Sequence, residues 1–197
     1  MRKTDDSPLD SKRPPESPML VLGVTGSIAA YKAADFTSRW RQAGLGIQVI
    51  MTAAAQKLVC PQTFCTLSRH PVITDLWTMP DWQPGHVELA MRAAALLVMP
   101  ATANIIGKMA HGIADDALST YYLSHVGPVY VAPAMNPRMW AHPAVQANCR
   151  ILAERGVRFI GPVAGPVACG GDGVGRLASV DEIFAVMTRA SGAGTAE

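Results

Sequence analysis

Three stretches of this sequence place polar or reactive groups where they could do chemistry. In Gly23-Val24-Thr25-Gly26-Ser27-Ile28 a glycine-bearing turn follows an apolar run and opens a helical pattern. Free backbone N–H groups and the helix dipole favour a phosphate there, although ordinary turn chemistry would use the same residues. In Ala132-Pro133-Ala134-Met135-Asn136-Pro137-Arg138-Met139-Trp140 an asparagine is held between prolines and flanked by Met and Trp, an arrangement hard to explain as packing. In Val167-Ala168-Cys169-Gly170-Gly171-Asp172-Gly173-Val174-Gly175-Arg176 four glycines surround one thiol. So glycine-rich a stretch is entropically costly to order, so it either closes over something as a flap or is a surface loop with an incidental cysteine.

These stretches need a frame that brings them together. Short apolar runs at 19–24, 47–52, 94–100, 127–132 and 157–160 alternate with helical patterns at 28–43 and 103–110, a helix bounded by Gly156, and a last helix starting near Val180 with Asp181 as its cap. VLGV, LLVM and VYVA are apolar on both faces, as strands covered by helices on both sides must be. The pattern predicts an α/β fold, a doubly wound (Rossmann-like, flavodoxin-like) parallel sheet in a single domain, with ligands outside the carboxyl ends of the strands. On that edge Thr52, Thr102 and Asn104 join the glycine turn, each with helix capping as its alternative employment.

Composition narrows the function classes. The chain has 197 residues, 49% apolar and 16% charged, with a net charge of +2 and no block of like charges, which argues against a nucleic-acid partner. No apolar stretch reaches the roughly 18 residues of a spanning helix, and the polar start lacks a secretory signal, so a cytoplasmic location without membrane contact is expected. Cys60, Cys65, Cys149 and Cys169 show neither metal-ligand spacing nor a disulfide framework, so no metal is expected. The first three read as buried or half-buried small side chains. Residues 1–18 and 191–197 read as flexible ends around a domain at 19–190.

Taken together, GSIAAYK (26–32), GHVEL (85–89), PATAN (100–104), GIADDALST (112–120), PAMN (133–136) and ACGGDGVGR (168–176) resemble the homo-oligomeric flavin-containing cysteine decarboxylases, the family of phosphopantothenoylcysteine decarboxylase and the lantibiotic peptidyl-cysteine decarboxylases. The resemblance implies FMN as cofactor, with Gly26, Ser27, Thr52, Thr102, Ala103, Asn104, Ser119 and Ala134 as its contacts. It implies His86 as the catalytic histidine, Asn136 engaging the substrate carboxylate, and Cys169 as a proton donor on the flap, with Met135 and Ala168 also at the substrate. It further implies trimers with FMN between subunits. Asp115 and Asp116, inside a matched segment, read as a helix start and not as an acid–base pair. Arg69, Lys108, Arg138 and Arg176 are candidate phosphate partners, with ordinary surface charge as the alternative for each.

The expected reaction is oxidative decarboxylation of a cysteine-derived carboxylate, with phosphopantothenoylcysteine of coenzyme A synthesis as substrate and phosphopantetheine as product. The alternatives are a peptidyl-cysteine decarboxylase that stops at the enethiol, a flavin prenyltransferase, and a non-enzymatic flavoprotein that regulates a phosphatase. The synthetase domain that follows in the bifunctional bacterial proteins is not present, so the sequence reads as a stand-alone decarboxylase, a paralogue of another pathway, or a truncated form. Arg176-Leu177-Ala178-Ser179-Val180 and Gly171 depart from the common family pattern around the flap.

Overall fold

Four apolar runs buried on both faces, joined by a short fifth at the edge, pair side by side because their backbone can be satisfied only through neighbouring strands. The computed structural model describes residues 19–76, 89–90, 93–166 and 172–191. Strands Met19–Val24 (β1), Ile47–Met51 (β2), Ala93–Ala101 (β3), Val129–Pro133 (β4) and Arg158–Phe159 (β5) form one sheet in the order β2-β1-β3-β4-β5. All four pairings are parallel. This is the flavodoxin-like order, and its switch point falls between β1 and β3, where the chain leaves one face of the sheet for the other.

The helices are Ala30–Gln42 (α1), Ala53–Gln56 (α2), Pro61–Ser68 (α3), Ala103–His111 (α4), Ala117–Ser124 (α5), Pro137–Trp140 (α6), Pro143–Glu154 (α7) and Val180–Ala190 (α8). Alternate strand residues feed two separate cores. Leu20, Leu22, Val49, Leu97 and Met99 meet Phe36 and Trp40 of α1, Phe64 of α3, and Ile183 and Met187 of α8. Val21, Ile50, Leu96, Val98 and Val131 meet Ile105 and Met109 of α4, Leu118 and Tyr121 of α5, and Leu152 of α7. On the first face Phe36 stacks on Trp40 at 5.4 Å, and Phe184 meets both rings edge-on at 6.0 and 5.6 Å. Each such ring contributes about 0.5–1.5 kcal/mol beyond the area it buries.

The helix starts agree with the sequence pattern with one correction. Thr52 caps α2 through Ala55 N–H, and Thr102 caps α4 through Ile105 N–H. The last helix is capped by Ser179, whose hydroxyl accepts from Glu182 N–H at 3.1 Å, and not by Asp181. Asp181 lies in the first turn and pairs with Arg39 of α1 at 2.5 Å. Cys60 is another correction, since it is exposed at the start of α3, while Cys65 is half-buried and Cys149 buried.

The glycine-rich stretch read as a loop contains a strand. Val163–Pro166 (β6) and Asp172–Arg176 (β7) pair antiparallel as a ribbon apart from the main sheet. Of the expected flexible ends, 1–18 and 191–197, residues 1–18 and 192–197 lie outside the described residues, and Ser191 ends α8.

Candidate functional site

The carboxyl edge of the sheet is closed by hydrogen bonds that cross from one strand end to the next. Thr25, 1% exposed at the end of β1, donates its hydroxyl to Pro100 C=O at 2.6 Å and accepts Thr102 N–H at 3.1 Å. One hydroxyl thereby fixes the glycine turn against the start of α4. Gly26 follows, and a Cβ there would sit 2.5 Å from Ala54 Cβ, so only glycine lets the turn lie against α2. Helix α1 begins at Ala29 with no side-chain cap, unlike α2 and α4. Ala30 N–H donates to Ser27 C=O and Lys32 N–H to Ala29 C=O, both at 2.9 Å, so what this helix start offers the cavity is chiefly its positive dipole end.

The opposite wall is built from β4, α6 and the ribbon. Asn136 caps α6, its Oδ1 accepting Arg138 N–H at 2.9 Å, which fixes the amide orientation. Met135 N–H donates to Gly175 C=O at 2.9 Å. A Cβ on Gly175 would collide with Met135 O and lie 3.2 Å from Pro137 N, so β7 can lie on the asparagine segment only as glycine.

Between these walls lies an open cavity of about 720 Å³, lined by Gly26, Ser27, Thr102, Ala103, Ala134, Met135 and Asn136 among the residues expected at a site. This is within the size range of small-molecule and cofactor pockets. Tyr31, Lys32, Met139 and Arg176 also line it. Its described lining carries two cations, Lys32 and Arg176, and no carboxylate.

Other expected residues stand elsewhere. Thr52, Asn104 and Ser119 do not line the cavity. Thr52 is occupied as a cap, and Asn104 is exposed on the first turn of α4. Ser119 is buried, its hydroxyl bound to Asp116 in the capping box of α5. His86, Ala168 and Cys169 lie outside the described residues.

Asp115 and Asp116 do open α5, and they also clamp Lys108, at 2.5 and 2.7 Å. Burial disfavours the charge on Lys108, but its hydrogen bonds to the two carboxylates outweigh this and raise its pKa. Burial likewise pushes Asp116 up, and the hydrogen bonds from Lys108 and Ser119 N–H overcome it, leaving the carboxyl below its ordinary range. Lys108 is therefore neutralised as a phosphate partner. Arg69 and Arg138 are exposed and do not line the cavity, so of the four arginine and lysine candidates only Arg176 does.

Sequence reading did not single out Thr25 or Tyr31, and Lys32 entered only as a letter of a motif. The signal for Thr25 was a hydroxyl directly before the turn glycine, but its partners lie about 75 positions along the chain. Among the described residues no group of three or more His, Cys, Asp or Glu could hold a metal ion, and no helix is long and apolar enough to cross a membrane.

Residues 9–191 match the family model described as flavoprotein. The chain belongs to the flavoprotein family. Among relatives of this flavoprotein, the coenzyme A biosynthesis bifunctional protein CoaBC of Bacillus subtilis (strain 168) is 47% identical over 167 residues. That match covers 83% of the chain and 41% of the relative. The flavoprotein thus spans about two fifths of the curated relatives it matches.

Among solved structures, the FMN-dependent cysteine decarboxylase SpaF superposes with a TM-score of 0.76 at 32% identity, covering 90% of this flavoprotein and 99% of SpaF. A PPC decarboxylase mutant complexed with pantothenoylaminoethenethiol gives a TM-score of 0.79 at 26% identity, covering 88% and 97%. The flavodoxin-like fold is common to all three.

Proposed function

We propose that this chain is an FMN-dependent decarboxylase that converts phosphopantothenoylcysteine to phosphopantetheine in coenzyme A synthesis. The observation that carries the reading is one cavity bounded on one side by the Gly26-Ser27 turn and the uncapped start of α1, and on the other by the fixed Asn136. The similarity to a coenzyme A biosynthesis protein and to two cysteine decarboxylase structures supports it.

The residues fit a flavin mononucleotide on the structure's own terms. An anionic phosphate suits the positive dipole end of α1, Lys32 and the turn that admits no Cβ at Gly26, while the body of the cavity, with Ala103, Ala134 and Met135, suits an apolar ring. In this reading Gly26, Ser27, Thr102, Ala103 and Ala134 hold FMN directly, and Thr52, Asn104 and Ser119 flank it. Bound FMN supplies a reversible two-electron acceptor.

The substrate's chemistry sets what the protein must do. Loss of CO2 leaves an electron pair, which needs a neighbouring C=S to receive it, so the thiol-bearing carbon is first oxidised to a thioaldehyde. Asn136 orients the carboxylate for departure, with Met135 and Ala168 assigned to the substrate as well. His86 assists substrate deprotonation or positions the reacting end, and Cys169 protonates the enethiolate; the two electrons taken up by bound FMN in the oxidation would be returned to the carbon beside sulfur, which gives the saturated thiol of phosphopantetheine and leaves the cofactor oxidised. The reading includes a trimer-based homo-oligomer in the cytoplasm, without a nucleic-acid or membrane partner. Supporting assembly, Ile28, Tyr31 and Met139 are 65%, 63% and 48% exposed at the cavity, an apolar rim that a neighbouring copy would cover.

The test is anaerobic addition of phosphopantothenoylcysteine to the purified, flavin-loaded protein, following flavin absorbance and product mass. Loss of CO2 with the flavin oxidised again at the end is the expected result. Bound FMN unchanged by this thiol would overturn the substrate assignment and direct the same assay to a cysteine-ending peptide.

A further inference from the structure

Resting on the decarboxylase reading, we propose that Arg176 receives the terminal phosphate of the substrate's arm and so determines that this site takes a phosphorylated pantetheine-type thiol and not its dephosphorylated counterpart. Four observations lead there. Arg176 belongs to β7, the strand whose neighbouring Gly175 is hydrogen-bonded to Met135 beside Asn136, so its guanidinium is presented from the wall that holds the substrate carboxylate. The uncapped helix start and Lys32 stand on the α1 side.

The side chain also runs back along the ribbon. A Cβ on Gly165 of β6 would lie 3.3 Å from Arg176 Nη1 and 3.5 Å from its Cδ, so the arginine is laid diagonally along the ribbon over a residue that has no side chain.

Arg176 is itself exposed, and what sets it apart is its place in a cavity whose charge leaves room for a second anionic ligand group. The described lining has two cations and no acidic side chain, and no ion pair is formed by Arg176 among the described residues. One phosphate at the α1 start takes the dipole and Lys32, and the substrate carboxylate takes the Asn136 amide. Arg176 is left with neither. A planar guanidinium binds a phosphate through paired N–H groups, a geometry that lysine does not reproduce.

The test uses the flavin-loaded protein and three variants of one position, Arg176→Gln, Arg176→Lys and Arg176→Ala, after checking that flavin content and thermal unfolding match the parent. Binding of phosphopantetheine and of pantetheine is measured by calorimetry, alongside KM and kcat for phosphopantothenoylcysteine and pantothenoylcysteine. Loss of one charge-assisted pair weakens binding by on the order of tenfold to a hundredfold.

The expected result is that Arg176→Gln raises Kd and KM by this factor for the phosphorylated compounds alone, with kcat and the dephosphorylated compounds unchanged. Arg176→Lys recovers part of the loss. Equal effects on both members of each pair, or none on either, would overturn the assignment while leaving a working decarboxylase. If the parent protein turns over neither thiol and binds neither product, the decarboxylase reading fails and the phosphate assignment fails with it.

Discussion

Replacing Thr25 by Val keeps the size of the side chain and deletes its hydroxyl. The site is 1% exposed, so water cannot stand in for what is lost. Two backbone groups lose their partner, the Pro100 carbonyl at 2.6 Å and the Thr102 N–H at 3.1 Å. Leaving each of the two groups unsatisfied costs roughly 1–3 kcal/mol, and the added methyl returns under about 1 kcal/mol, which gives a net loss of about 1–6 kcal/mol. For a chain of this size the midpoint of thermal unfolding should fall by roughly 2–20 °C. Urea unfolding of the flavin-free chain, followed by circular dichroism, measures the loss. Thr25→Ser keeps both hydrogen bonds and should recover most of it. A valine variant within about 0.5 kcal/mol of the parent, or a serine variant less stable than the valine one, would refute the argument that this hydroxyl ties the two strand ends.

Three further outcomes follow from the same structure. Gly175→Ala drives a Cβ into Met135 O and towards Pro137 N, backbone atoms that cannot swing aside, and should cost about 1–3 kcal/mol in urea unfolding while weakening carboxylate binding at the Asn136 wall. Phe36→Ala removes a fully buried ring from the stack with Trp40 and Phe184 and should cost about 3–5 kcal/mol, read as a lower urea midpoint with an unchanged slope. Asp116 is held below its ordinary carboxyl range, so the unfolded chain takes up the proton first. Its stabilisation is present above that range and lost as pH falls through the folded value; Asp116→Asn should be about 1 kcal/mol less stable at neutral pH and show a shallower decline in acid, measured by urea unfolding across pH.

What the sequence made legible follows physical range. Four core strands could be read because burial on both faces writes continuous apolar runs such as LLVM, β5 was marked by the buried Val157 and Ile160 that flank it, and the parallel pairing followed from the helical patterns between the runs. Thr52 and Thr102 could be read as caps because capping is local. Ser179 was missed in favour of Asp181 because both residue types cap and stand two positions apart, and the choice depends on which backbone is extended. The ribbon was not legible. Gly173 and Gly175 have poor strand propensity, and they are in a strand because backbone must lie on Pro137 and Met135, contacts more than 30 positions away. Asn136 could be picked out because prolines on either side left it little other purpose, whereas the pairing of Thr25 with Pro100 is written nowhere near Thr25.

The ribbon's attachment has a consequence for cooperativity. Two antiparallel strands alone are marginally stable in water, and this pair shares no strand pairing with the five-stranded sheet. Its described anchorage to the asparagine segment is the Met135–Gly175 hydrogen bond and the glycine contacts on Pro137. Apart from Val163, which packs against the first core, the ribbon should therefore open at low free energy and exchange its amide hydrogens with little loss in the aromatic stack. Occupancy of the Asn136 wall would be registered first as slowed exchange in β6 and β7, long before the global stability of the chain moved.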